Sequence, residues 1–476
     1  MVPRSVRPGK RTRAWSRTNR PRGGYHLHMT TVSPTGRAVR ILLFCLALTL
    51  AACAAAPATS EQPIPSQSGP FRSADATAAA TPDPTASPSP ATGVRADLER
   101  LLSVLDRVHP EPFHGVSREE FVAALDAYEA ELPKLSPEES VVELMRVWAM
   151  LSREGRDGHQ FALPQVQHEG PVLPIRVYEF AEGVFVTAAA PGTEPTLVGS
   201  RITAIGEVAI DDVLAAIEPL VPRDGPATVP AFRPIFLVRL DVLRGLGLVE
   251  DGSVPLSVVR PDGTSMTVDL QPLAADADAS WAGPVGMHQL PLDARLRYLA
   301  SGETFSATLD GRTAYVRYRS VQSVDVREVR QWLDRDEADR LVLDLRQNPG
   351  GDNGTYGRLL RLVVDFAEAH PGGVTVLIDR VTFSAASNLA TEIEQTTDAR
   401  FVGEPMAGGL NFWNDVTWVD LVSLPIPMRA AVSERYWQFA SPDDERLTIE
   451  PDVPIEITAA DHFAGRDPAL EAALNP

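Results

Sequence analysis

Lysine and cysteine are almost missing from this 476-residue chain: only Lys10 and Lys134 occur, and only Cys45 and Cys53. So few thiols, both near the N-terminus, exclude a disulfide framework or a thiolate metal site in the body of the protein. So few amines leave almost no candidate for a lysine base. HExxH, a P-loop, a Rossmann fingerprint and SxxK are also absent, and no His/Asp/Glu group has metal-ligand spacing along the chain, so no metal or cofactor is expected. Basic surface is scarce too. The formal net charge is -19, and residues 1–53 hold ten Lys and Arg with no Asp or Glu, so the remainder stands near -29. Phosphate binding needs the opposite sign, which excludes nucleic acid as a partner. Hydrophobic residues at 44% and charged residues at 22% still describe an ordinary globular protein.

One apolar run stands out, ILLFCLALTLAA, preceded by Arg37 and Arg40 and followed by Cys53. It is too short for a comfortable membrane span and has the basic, apolar and small-residue parts of a secretory signal. Met29 makes a more natural start for such a signal than Met1. The ending LTLAAC resembles a bacterial lipobox, which implies lipidation of Cys53, an extracytoplasmic location and attachment to a membrane through that anchor. From residue 54 to 93 the chain is dominated by Ala, Pro, Ser and Thr, a composition that cannot bury enough apolar surface to offset its ordering entropy and reads as a tether.

Helical spacing begins in residues 94–165, with Leu98, Leu101, Leu102 and Leu105, and later Val142, Leu144, Met145 and Trp148. Ser117 and Ser136 each precede acidic pairs, as N-caps do. Residues 170–275 read as short strands with turns, and LVGSRITAIGEVAIDDVLAAI resembles the core of a PDZ domain. Residues 280–476 alternate buried-type strands (TAYVRYRSV, RLVLDLRQ, VTVLIDR, RFVGEP) with amphipathic helices, the pattern of an α/β core. The expected fold class is therefore multidomain α/β: a helical N-terminal domain, a PDZ-like β-rich module and an α/β core.

Ser384 follows the strand VTVLID and immediately precedes a helix-forming stretch. A helix N-terminus offers unpaired amides and a dipole that favours developing negative charge, which suits a nucleophile. The competing role is a plain N-cap. The second signal is LVLDLRQNPGGDNG, a strand running into Gly350 and Gly351, whose backbone freedom allows consecutive amides to converge on one point. Asp344 and Arg346 beside it read as an ion pair that holds the loop.

DLRQNPGG, TFSAASNLA, FVGEPMAGGLN, IEPDVPIEIT and the upstream VHPEPFHG and GRDGHQF, in that arrangement, resemble the C-terminal-processing (tail-specific) serine peptidase family over about residues 94–476. The resemblance implies a crotonase-like catalytic core, a PDZ insertion, polypeptide substrates, Ser384 as nucleophile, and oxyanion donors from Ala385 and from Gly350 or Gly351. Many members use a lysine after GEP; here the aligned residue is Gly409, and Lys134 lies outside the core. The sequence thus looks like the tricorn-like branch, which implies His159 of DGHQF as the base. That branch has a serine before the histidine where this chain has Gly158. Glu434 is the residue in the region of the family's late carboxylate, with Glu404, Glu445 and Asp157 as competitors for orienting the imidazole.

The expected function is a serine endopeptidase acting on extracytoplasmic proteins through a Ser384 acyl-enzyme. Two alternatives stand beside it: a peptide- or lipophile-binding lipoprotein without catalysis on the same fold, and a serine esterase or amidase for small substrates.

Overall fold

A computed structural model describes residues 90–273 and 290–475. The signal, Cys45, Cys53 and nearly all of the tether lie outside the described residues. No described helix is long and apolar enough to cross a membrane.

The chain opens with three helices, α1 (Pro90–Val108), α2 (Arg118–Glu131) and α3 (Pro137–Ala149). Ser117 Oγ accepts the Glu120 amide at 3.1 Å, and Ser136 forms a reciprocal capping box with Glu139, so both helix starts lie where the Ser-acidic signals put them. Leu101, Leu105, Phe121 and Leu144 are fully buried on the facing sides of these helices.

After the short strand β1 (Ala162–Pro164) comes a strand-rich region: β2 (Ile175–Phe180), β3 (Gly183–Ala189), β4 (Arg201–Ile205), β5 (Val208–Ala209), β6 (Val254–Val259) and β7 (Ser265–Leu270). They form an antiparallel sheet in the order β2-β3-β4-β6-β7, with β5 paired to β4. Helices α4 (Ile210–Ile217), α5 (Thr228–Leu237) and α6 (Leu240–Gly245) lie between β5 and β6. Only α4 is legible from the sequence.

The second half holds a six-stranded sheet in the order β15-β12-β11-β10-β9-β8. Its members are β8 (Phe305–Asp310), β9 (Thr313–Tyr318), β10 (Arg340–Asp344), β11 (Val374–Ile378), β12 (Arg400–Gly403) and β15 (Val453–Pro454). All neighbouring pairs are parallel except β8 with β9. The crossover helices α7 (Arg327–Asp334), α8 (Gly357–Ala369) and α9 (Ala385–Thr396) bury Val329, Leu362, Phe366, Leu389 and Ile393 in one core with the sheet. Helices α10 (Ala459–Ala464) and α11 (Pro468–Leu474) close the chain.

One feature is absent from the sequence reading: a long antiparallel hairpin of β13 (Asn411–Leu421) and β14 (Met428–Gln438), extended by β1 into a separate sheet. Its inner residues Val419, Met428, Ala430 and Val432 share a core with the N-terminal helices and the strand-rich region. The helical and strand-rich segments therefore do not have separate hydrophobic interiors.

Candidate active site

In a parallel sheet, functional groups gather where strands end at their carboxyl edge. The adjacent strands β10 and β11 end at Asp344 and Ile378, and the glycine turn and Ser384 follow them directly.

Ser384 sits at the N-cap of α9 with φ 54° and ψ -128°, a conformation that costs a non-glycine residue free energy. Its side chain makes no capping bond to the helix. The plain N-cap role therefore fails; instead Ser384 Oγ accepts a hydrogen bond from Asn414 Nδ2 at 3.3 Å. A strained strand-to-helix turn that presents a serine hydroxyl away from its own helix is the arrangement of a nucleophile elbow.

The buried carboxylate of Asp379 builds this turn. It accepts the amides of Val381 and Thr382 at 2.9 and 3.1 Å, then reaches across to the Gln347 amide and to Gln347 Nε2 at 2.7 Å. Asn348 adds a second clasp, its carbonyl accepting the Phe383 amide at 3.1 Å. The glycine turn is thus locked against the serine turn. Contact is so close that a Cβ on Gly350 would stand 2.6 Å from Ser384 Cβ and 2.9 Å from the Ala385 nitrogen.

The three expected oxyanion donors differ in availability. Gly350 donates its amide to Asn348 Oδ1 at 2.9 Å, so it is already engaged. Among the described residues the amides of Ala385 and Gly351 donate to no other group. Asp344 and Arg346 do form the expected ion pair, at 2.6 Å, and Arg346 also clasps Asp467.

His159 is buried beside the turn that carries Ser384. Its ring stacks on Phe383 at 4.4 Å and on Phe412 at 5.5 Å between centroids. Burial pushes its pKa down to about 3, with only the charge of Asp157 opposing, so the imidazole is neutral at pH 7. No hydrogen bond joins it to Ser384, and its Nδ1 has no partner.

Glu434 is not brought to His159. It lies exposed on β14 and bonds Thr417 Oγ1. Its neighbour Ser433 points inward instead and donates to Asp157 Oδ1 at 2.7 Å. Glu404 is spent on a bidentate pair with Arg380, and the carbonyl of Glu445 accepts Arg156. Lys134 pairs with Glu131 on the surface.

The carboxylate nearest His159 in sequence, Asp157, is buried and accepts His109 Nε2 at 3.1 Å and Gln160 Nε2 at 2.6 Å, with His114 Nε2 at 3.5 Å. Burial alone would raise its pKa, but the contacts with His109, His114 and Ser433 outweigh that and hold it below the usual carboxylate range. The ligand-type atoms of His109, His114 and Asp157 lie within 4.8 Å of one another, a grouping that sequence spacing hides. A metal is a poor fit. His109 Nδ1 accepts the Glu111 amide at 3.0 Å, so Nε2 carries the proton and donates to Asp157 rather than offering a lone pair.

No protein-family model matches the chain, and no curated protein matches it in sequence. Its fold does match solved structures. Mature CPAF complexed with lactacystin superposes with a TM-score of 0.57 at 15% identity, covering 81% of this chain and 97% of that one. A CPAF point mutant gives 0.54 at 14% identity over 79% and 95%, and mature CPAF gives 0.52 at 14% over 81% and 96%. The chain is thus an α/β protein of several sheets with the fold seen in CPAF.

Proposed function

We propose that this protein is a serine peptidase of the tail-specific type, with Ser384 as nucleophile and His159 as base. The observation that carries the reading is the backbone of Ser384: a strained turn at a helix N-terminus that withholds the hydroxyl from capping and sets it against a glycine turn. Strain of this kind is retained where the surrounding structure over-determines it, and here Asp379 and Asn348 do so.

In the proposed reaction, neutral His159 takes the Ser384 proton as Oγ attacks the peptide carbonyl. The amides of Ala385 and Gly351 receive the oxyanion, at the positive end of the α9 dipole. His159 then protonates the leaving amine, and water releases the acyl group by the same route. His159 and Ser384 must approach to hydrogen-bonding distance in the substrate complex, as catalytic pairs commonly tighten on binding.

The strand-rich region supports a PDZ-like role: β2 and β7 are edge strands of its sheet, and an edge can take up an added peptide strand. The lipobox-like LTLAAC supports a location outside the cytoplasm with a tether through Cys53. Substrates in this reading are unstructured or C-terminal segments of polypeptides.

The test is turnover of an unstructured polypeptide alongside short-chain esters and amides. Polypeptide cleavage that vanishes in Ser384→Ala supports the peptidase. Ester turnover alone contradicts it in favour of a small-substrate hydrolase, and binding without turnover in favour of a ligand-binding protein.

A further inference from the structure

Resting on the assignment of His159 as base, we propose that Asp224 is a positioning residue: its carboxylate clamps the turn carrying His159 to the loop that backs Ser384. Asp224 belongs to neither sequence motif. It lies between α4 and α5 and is fully buried.

One oxygen accepts the amide of Gly158, the residue directly before His159, at 2.5 Å. The other accepts the amide of Gly409 at 3.3 Å. The backbone completes the dock, with the Arg156 amide donating to the Asp224 carbonyl at 2.8 Å and the Asp157 amide to the Arg223 carbonyl at 3.2 Å. Thr228 Oγ1 fixes Asp224 in turn: it accepts the amides of Asp224 and Gly225 at 3.1 Å and donates to the Ala407 carbonyl at 2.7 Å.

The far side of the clamp reaches the nucleophile. The Gly408 amide donates to the Thr382 carbonyl at 3.3 Å, and a Cβ on Gly408 would stand 3.1 Å from the Ser384 nitrogen. A continuous path thus runs from His159 through Gly158, Asp224 and the 407–409 loop to Ser384. Both amides aimed at Asp224 are donors, and only a carboxylate offers an acceptor to each. An asparagine would set an NH2 group against one of them.

The experiment compares wild type with the nearly isosteric Asp224→Asn by steady-state kinetics on the unstructured polypeptide, thermal unfolding, and NMR of selectively labelled histidines with His159 assigned by mutation. The clamp predicts at least a tenfold fall in kcat, KM within twofold, a shifted His159 ring signal and cooperative unfolding. A kcat within twofold of wild type with an unmoved His159 signal overturns it. If wild type lacks Ser384-dependent turnover, the peptidase reading fails, while the His159 signal still decides whether Asp224 sets the ring. If Asp224→Asn does not fold, Gly158→Ala carries the same comparison, because its Cβ would meet the Asp224 nitrogen at 2.9 Å and push the turn off the clamp.

Discussion

Asn414 Nδ2 stands 3.3 Å from Ser384 Oγ, and among the described residues it is the one side chain hydrogen-bonded to that hydroxyl. It is itself buried on β13, so its amide is held in place rather than drawn from solvent. As a donor it cannot take the serine proton, but in the proposed reaction it would stabilise negative charge on Oγ as that proton leaves. Asn414→Ala is expected to lower the acylation rate about tenfold, equivalent to ~1.4 kcal/mol. Pre-steady-state acylation kinetics check this, and an unchanged rate would make Asn414 a packing residue.

Ser433 and Glu434 test which side of β14 serves the site. Ser433 feeds its hydroxyl to the buried Asp157, whereas Glu434 hydrogen-bonds Thr417 at the surface. Removing the Ser433 donor should weaken the Asp157 network by roughly 1–2 kcal/mol. Ser433→Ala is therefore expected to lower both thermal stability and turnover, while Glu434→Gln leaves both near wild type. The reverse order would restore Glu434 as the orienting carboxylate.

His159 also sets a pH dependence of stability. Its pKa falls from an ordinary 6.5 to about 3 because burial disfavours the charged ring. Between those values the unfolded chain binds a proton that the folded one refuses, so stability falls as pH drops from about 6.5 toward 3. The loss from this one group amounts to a few kcal/mol. His159→Phe keeps an aromatic ring between Phe383 and Phe412 and removes the titration. Denaturant unfolding at pH 4.5 and pH 7 should show a smaller acid loss for this variant than for wild type, and an equal loss would count against the buried neutral imidazole.

The sequence makes legible what local pattern controls. Strand–helix alternation locates β9 to β12 and α7 to α9, the Ser-acidic pairs locate two helix starts, and the placement of Ser384 and the Gly350–Gly351 turn follows from strand ends. Contacts that the tertiary fold assembles stay hidden. Asp224 reaches Gly158 across 66 positions and Gly409 across 185. The β13–β14 hairpin escapes because its buried positions include Asn411, Asn414 and Ser433, which break apolar alternation. Glu434 shows the cost of a single step along a strand, since successive residues face opposite sides and the site takes Ser433. Gly350 shows another limit: the turn is visible, but the use of its amide by Asn348 depends on a side chain folding back.

The proposed reaction requires an activated serine at position 384. Its most direct test is labelling of the purified protein with a fluorophosphonate probe, followed by peptide mapping of the adduct in wild type, Ser384→Ala and His159→Ala. An activated Ser384 gives a single adduct at that residue, absent in the first variant and strongly slowed in the second. A folded wild-type protein that takes no label, or takes it elsewhere, would contradict it.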